Sequence, residues 1–128
     1  KEHMNYTLLC DFYELTMGNG YFQTDGYADQ ICYFDVFFRM YPMDGFAIAA
    51  GLEQVIDYIE NLRLHRGGHR LPAGKGLLLR GLLDYLRTFR FTGDLWAVPE
   101  GTPIFPREPF LTVRAPAIEA QFIETFLL

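Results

Sequence analysis

Apolar positions recur along the chain with two periods. Leu52, Val55, Ile56, Ile59 and Leu62 follow the i, i+3, i+4, i+7, i+10 spacing of a core-facing helix, with Glu53, Asp57 and Glu60 on its wet side. Over residues 31–40 the period drops to two. Cys32, Phe34, Val36, Phe38 and Met40 then share an apolar strand face, opposite Tyr33, Asp35, Phe37 and Arg39. A short buried strand is predicted at 46–50, where Gly51 lets the chain turn into the 52–62 helix. Leu82, Leu83, Leu86 and Phe89 predict another helix, closing near Arg90. Residues 95–98, 104–105 and 110–113 read as short strands separated by Pro99, Gly101, Pro103, Pro106 and Pro109. Proline confines such strands to edges, bulges or starts. Ala115-Pro116 opens a last helix whose Ile118, Phe122 and Phe126, flanked by Ala117, Ile123 and Leu127, leave little polar surface. That helix is expected to be almost fully buried.

Nearer the start, Asp11 followed by Glu14 has the spacing of a capping box and opens a short helix. Phe12, Leu15, Asn19 and Phe22 fall near one of its faces; Tyr13, Met17 and Tyr21 recur every four residues on another. One face can enter the core. The second, if exposed, is an aromatic surface suited to a flat ligand or a partner subunit; burial of both faces is the simpler reading of the spacing alone. The order helix, strand, strand–helix, helix, β module, helix is an α+β pattern without the regular alternation of a doubly wound or barrel domain.

Composition narrows the function classes. A chain of 128 residues is one domain with room for a real core, and 50% hydrophobic and 16% aromatic content excludes a disordered chain. A net charge of −5 gives no reason to expect nucleic acid or an anionic membrane as partner, and the apolar runs are too short to span a bilayer. No signal peptide is visible at residues 1–5. Cys10 and Cys32 lack a CxxC or zinc spacing and read as reduced, buried thiols of a cytosolic protein. His65 and His69 have a metal-like spacing, but Gly67-Gly68 between them breaks the helix a ligand pair needs. Gly74-Lys75 suggests a phosphate loop, but Gly76 stands where Ser or Thr is required. Glu100 and Glu108 offer a carboxylate pair, with water-facing turn residues the expected reading. On a strand, Asp35 and Arg39 sit about 13 Å apart. Arg39 is therefore free to meet an anion, or simply solvated.

The run Leu8-Leu9-Cys10-Asp11-Phe12-Tyr13-Glu14-Leu15-Thr16-Met17 resembles the opening motif of bacterial nicotinate phosphoribosyltransferases, Leu-Leu-Thr-Asp-Phe-Tyr-Glu-Leu-Thr-Met, with Cys10 in place of the usual Thr. The resemblance continues through Tyr33-Phe34-Asp35-Val36-Phe37-Phe38-Arg39, Gly45-Phe46-Ala47-Ile48-Ala49-Ala50-Gly51-Leu52, Phe91-Thr92-Gly93-Asp94-Leu95 and Val98-Pro99-Glu100-Gly101-Thr102-Pro103 to the last residue. It implies the N-terminal domain of a type II phosphoribosyltransferase, with the catalytic barrel absent. Enzymes of that family join nicotinate to phosphoribosyl pyrophosphate, forming nicotinate mononucleotide for NAD biosynthesis. ATP hydrolysis through a phosphohistidine drives the reaction, with Mg²⁺ on the phosphates.

By the same resemblance the protein is a cytoplasmic homodimer, and no catalytic residue lies in this chain; His3, His65 and His69 do not match the family's histidine. Tyr13 matches the tyrosine that stacks on nicotinate, reaching the neighbouring subunit's site. Arg39 resembles an arginine that helps hold phosphate, and Asp11 orients the ring-binding end of the helix. The apolar, uncapped end at Leu127-Leu128 predicts a fragment, and the resemblance, with the barrel absent, implies that it is inactive by itself. The alternatives are a relative using nicotinamide or quinolinate, and a stand-alone binding or assembly module whose β-rich end docks a partner.

Only residues 65–82 depart from the resemblance. No acidic residue lies between Glu60 and Asp84, whereas Arg63, Arg66, Arg70, Lys75 and Arg80 do, and five glycines with Pro72 break any periodicity. Translation out of frame would account for this, a natural basic loop being the alternative. Permitted codons, read one nucleotide later, yield Thr-Glu-Glu-Asp-Ile-Ala-Tyr-Leu, which has a helix cap, an acidic first turn and an amphipathic run. As written, the segment is expected to be a loosely packed loop that leaves apolar surface on the 52–62 helix uncovered. Resequencing the DNA decides the origin.

Overall fold

At Pro116 a strand becomes a helix without an intervening loop. The computed structural model describes residues 12–39, 45–63 and 80–128, apart from the side chains of Phe12, Arg80 and Leu83. Within them the elements are α1 (Phe12–Gln23), β1 (Ile31–Val36), β2 (Ala47–Ile48), α2 (Leu52–Asn61), α3 (Arg80–Thr88), β3 (Asp94–Ala97), β4 (Pro103–Ile104), β5 (Leu111–Pro116) and α4 (Ala117–Leu127). The fold is α+β, as the element order predicted. Pro116, with φ −51° and ψ 139°, ends β5 in extended backbone and starts α4, a position where its missing N–H costs nothing.

Helix α4 is the centre of the packing. Every residue from Ala117 to Ile123 is buried, as its nearly all-apolar surface predicted. One side lies against β5 and β1, and α1 and α2 pack on the rest. Phe89, just past α3, meets Phe122 edge-on at 5.7 Å, and Tyr58 of α2 stacks flat on Phe126 at 3.8 Å. Two polar residues are buried with the apolar ones. Glu119 accepts hydrogen bonds from the Thr92 backbone N–H at 2.7 Å and from its hydroxyl at 3.0 Å, tying the 92–93 turn to α4. Gln121 donates to Glu124 at 2.6 Å. Among the described residues no buried side-chain nitrogen or oxygen is left without a partner.

The main sheet has the order β1-β5-β3, all antiparallel, and β2 pairs separately with β4. The alternation predicted β1 to residue 40, but pairing stops at Val36 opposite Leu111, the first residue of β5. Beyond it a turn takes over: the Arg107 N–H donates to the Phe38 carbonyl at 2.8 Å, with Arg107 itself at a left-handed φ of 66°. Because β1 is an edge strand, its apolar face is only partly covered. Val36 is buried, yet Phe34 remains 39% exposed and Cys32, a free thiol, is half-buried rather than buried. Cys10 lies outside the described residues. The prolines place β4 at an edge as expected. They do not do so for β5, which is central, because Pro109 and Pro116 bracket its ladder instead of interrupting it.

Two helical faces need correction. Tyr58 of α2 and Leu62 just past it are buried and Val55 and Ile59 partly so, but Ile56 is 45% exposed. Ile56 and Tyr58 are two residues apart, about 200° around a helix, and the stack of Tyr58 on Phe126 decides between them. Leu82 and Leu86 of α3, and Phe89 just past it, are buried as predicted. The helix also takes in Arg80 and Gly81, which the atypical segment had claimed with Leu82 as loop. The rest of that segment, with His65, His69, Gly74 and Lys75, lies outside the described residues. Among the described residues no helix is long and apolar enough to cross a membrane.

Candidate functional site

Helix α1 carries two glycines and is a weak helix in isolation; packing holds it. Its buried line is Glu14 and Gly18, one turn apart. Glu14 is fully buried, and its Oε1 accepts from the Thr125 N–H at 2.9 Å and from the Thr125 hydroxyl at 2.7 Å. Gly18 lies so close to Phe122 that an added Cβ would be 2.8 Å from the ring tip. The predicted core face is therefore displaced: Leu15 and Asn19 are half-buried, and Phe22 stays 38% exposed beside Tyr85. A polar residue and a helix breaker gave no hydrophobic signal, so periodicity missed the line that matters.

The second face is open. Tyr13 is 43% and Met17 40% exposed, so burial of both faces is overturned. The exposure fades at Tyr21, which is half-buried with its ring 5.1 Å from Tyr27; burial and the neighbouring Tyr27 raise its phenol above the ordinary value. Arg39 is exposed three residues past β1 and makes no ion pair among the described residues. Asp35 instead accepts from the Thr112 hydroxyl across the strands at 2.6 Å. Asp11, with the capping-box contact proposed for it, lies outside the described residues.

The topology brings Tyr13 and Arg39 to one end of the domain. α1 runs antiparallel to α4, with Glu14 at Thr125 and Gly18 at Phe122, while β5 leads away from that end and α4 returns to it. An apolar groove of about 180 Å³ lies there, lined by Phe34, Val36, Val113 and Leu127. Its charged described residues, Asp35 and Glu124, are both acidic, the wrong sign for an anionic ligand. An anion at this end must find its cation elsewhere, with Arg39 and the neighbouring Arg107 exposed candidates among the described residues.

Glu100 is engaged away from Glu108 in the sequence, at the start of α2. Glu100 accepts from the Gly51 N–H at 2.8 Å and the Leu52 N–H at 3.1 Å, capping α2 from 48 residues away. Reciprocal bonds, Ala49 N–H to Thr102 and Gly101 N–H to Ala49, place it there. It is a capping residue, not an idle turn residue. No three His, Cys, Asp or Glu side chains among the described residues are grouped to hold a metal.

Residues 8–128 match the family model of the nicotinate phosphoribosyltransferase N-terminal domain. The chain belongs to the nicotinate phosphoribosyltransferase family. A nicotinate phosphoribosyltransferase of Mycobacterium tuberculosis is 40% identical over 129 residues, covering 100% of this chain and 27% of that protein. The Bacillus subtilis nicotinate phosphoribosyltransferase is 37% identical, covering 95% of this chain and 25% of its own. The crystal structure of human nicotinic acid phosphoribosyltransferase matches with a TM-score of 0.72 and 31% identity, over 91% of this chain and 24% of that one. The chain thus spans about a quarter of the length of these relatives. The resemblance of the opening motif and the helix-and-sheet order agree with the family's N-terminal domain.

Proposed function

We propose that this chain is the N-terminal, ring-presenting part of an enzyme that forms nicotinate mononucleotide from nicotinate and phosphoribosyl pyrophosphate in NAD biosynthesis. The observation that carries the reading is Tyr13, exposed on a helix whose neighbouring line, Glu14 and Gly18, is locked to α4. A flat anionic ring needs an aromatic surface to stack on and cations for its carboxylate and the phosphates. Tyr13 supplies the surface, reaching the site of the neighbouring subunit in a cytoplasmic homodimer. Arg39 assists with phosphate, and Asp11 orients the start of α1. The histidine, the barrel and the remaining cations belong to the part of the enzyme outside this chain. ATP and Mg²⁺ act there too.

The test is kinetic, in the full-length enzyme. Tyr13→Ala is expected to raise the KM for nicotinate about threefold to tenfold, from a stacking contribution of roughly 0.5–1.5 kcal/mol. Tyr13→Phe keeps the ring and should be mild. Unchanged kinetics in Tyr13→Ala defeat the assignment. Loss of the dimer on size-exclusion chromatography would instead make Tyr13 an interface residue.

A further inference from the structure

We propose that Glu14 is a positioning residue for the pyridine-ring site: its carboxylate, bonded to Thr125, fixes the rotation of α1 and so the direction in which Tyr13 is presented. The proposal rests on the reading of Tyr13 given above.

Glu14 has no exposed surface, and burying a carboxylate is costly unless it is well bonded. Here two donors on one residue converge on Oε1, the Thr125 N–H at 2.9 Å and the Thr125 hydroxyl at 2.7 Å. α-helical geometry aims that N–H at the carbonyl of Gln121, so α4 shares one of its own ladder donors with α1. If adhesion were the only need, an apolar side chain would join the two helices without the desolvation cost. Such a side chain would allow α1 to roll; a directional pair of bonds does not.

The second grip is Gly18, one turn on, pressed against the Phe122 ring. Two contacts on one helical line set both the height and the roll of α1. Tyr13 is the residue next to Glu14, about 100° around the helix, so a roll of α1 swings its ring directly. The far side of the clasp is braced as well, because Phe126, which follows Thr125, stacks on Tyr58 at 3.8 Å. A chain of contacts thus runs from α2 through α4 and Glu14 to the base of Tyr13.

The experiment uses the full-length enzyme with four variants: Glu14→Gln, Glu14→Met, Tyr13→Ala and the double variant Tyr13→Ala/Glu14→Met. Glu14→Gln keeps an oxygen acceptor for Thr125 and should leave the KM for nicotinate near the parent value. Glu14→Met keeps the packing volume and loses the acceptor. It should raise that KM about threefold to tenfold, the ceiling being what the Tyr13 stack supplies, with kcat and the KM for phosphoribosyl pyrophosphate little changed. Because Glu14 acts through Tyr13, the double variant should be no worse than Tyr13→Ala alone. Multiplying effects in the double variant, or a Glu14→Met enzyme with parental KM, overturn the positioning role. A Tyr13→Ala enzyme with parental KM instead overturns the reading of Tyr13, whatever Glu14 does. If Glu14→Met does not fold, Thr125→Val, which removes only the hydroxyl donor, should raise the nicotinate KM in the same selective way; an unchanged value there overturns the proposal.

Discussion

Gly18 and Gly20 sit in the same helix, and the same substitution at each should move stability in opposite directions. Both lie in the interior of α1, where Ala is favoured over Gly by about 0.8–1.0 kcal/mol. At Gly20 an added Cβ meets nothing within 4 Å, so Gly20→Ala should collect that gain whole. At Gly18 the Cβ would stand 2.8 Å from Phe122 Cζ. A ring tip is usually cheap to displace, but Phe122 has no exposed surface and the Phe89 ring meets it edge-on at 5.7 Å. The strain must fall on the helix pair, and overpacking of this kind costs about 1–3 kcal/mol. Subtracting the propensity gain leaves Gly18→Ala destabilised by up to about 2 kcal/mol, and separates the two variants by about 1–3 kcal/mol. For a chain of this size 1 kcal/mol is about 4 °C in Tm. Thermal and urea unfolding of the parent and both variants, run side by side, measure the separation directly. A Gly18→Ala protein stabilised as much as Gly20→Ala would refute the reasoning, for it would mean that α1 does not press on α4 at this point.

Glu100→Ala removes the acceptor shared by the Gly51 and Leu52 N–H groups, and should lower stability by about 0.5–1 kcal/mol, the modest end for a cap because the site is solvated. Glu108→Ala, at an exposed turn, is the control, and melts of the two variants that superimpose would show the cap to be idle. Burial, then the nearby carboxylates of Glu119 and Asp29, push the Tyr85 phenol well above its ordinary value of 10.0. The folded state therefore favours the protonated phenol: this contribution is complete below about pH 10 and is lost progressively as pH rises above it. Tyr85→Phe should flatten the alkaline fall in Tm, and an unchanged fall would remove Tyr85 as its cause.

Local pattern alone carried a large share of this protein. The 3.6-residue period marked α2, α3 and α4, the period of two marked β1, and the turn residues between 99 and 109 separated β3, β4 and β5. These elements were legible because each shows its buried side through residues close in the chain. The exposed Tyr13–Met17 stripe was legible as a spacing, and the motif around it marked the family. What the tertiary structure alone decided is which face of α1 is gripped and which is left open. Glu14 reads as a capping residue and Gly18 as a weakness until Thr125 and Phe122, more than a hundred residues away, are placed against them. The same holds for Glu100, whose partners are Gly51 and Leu52, for Glu119, whose partner is Thr92, and for Ile56, displaced from the core by the stack of Tyr58 on Phe126. A polar or missing side chain has no hydrophobic period to betray it. Its role is set by the donor or ring that the fold brings to it, and that partner has no fixed distance along the sequence.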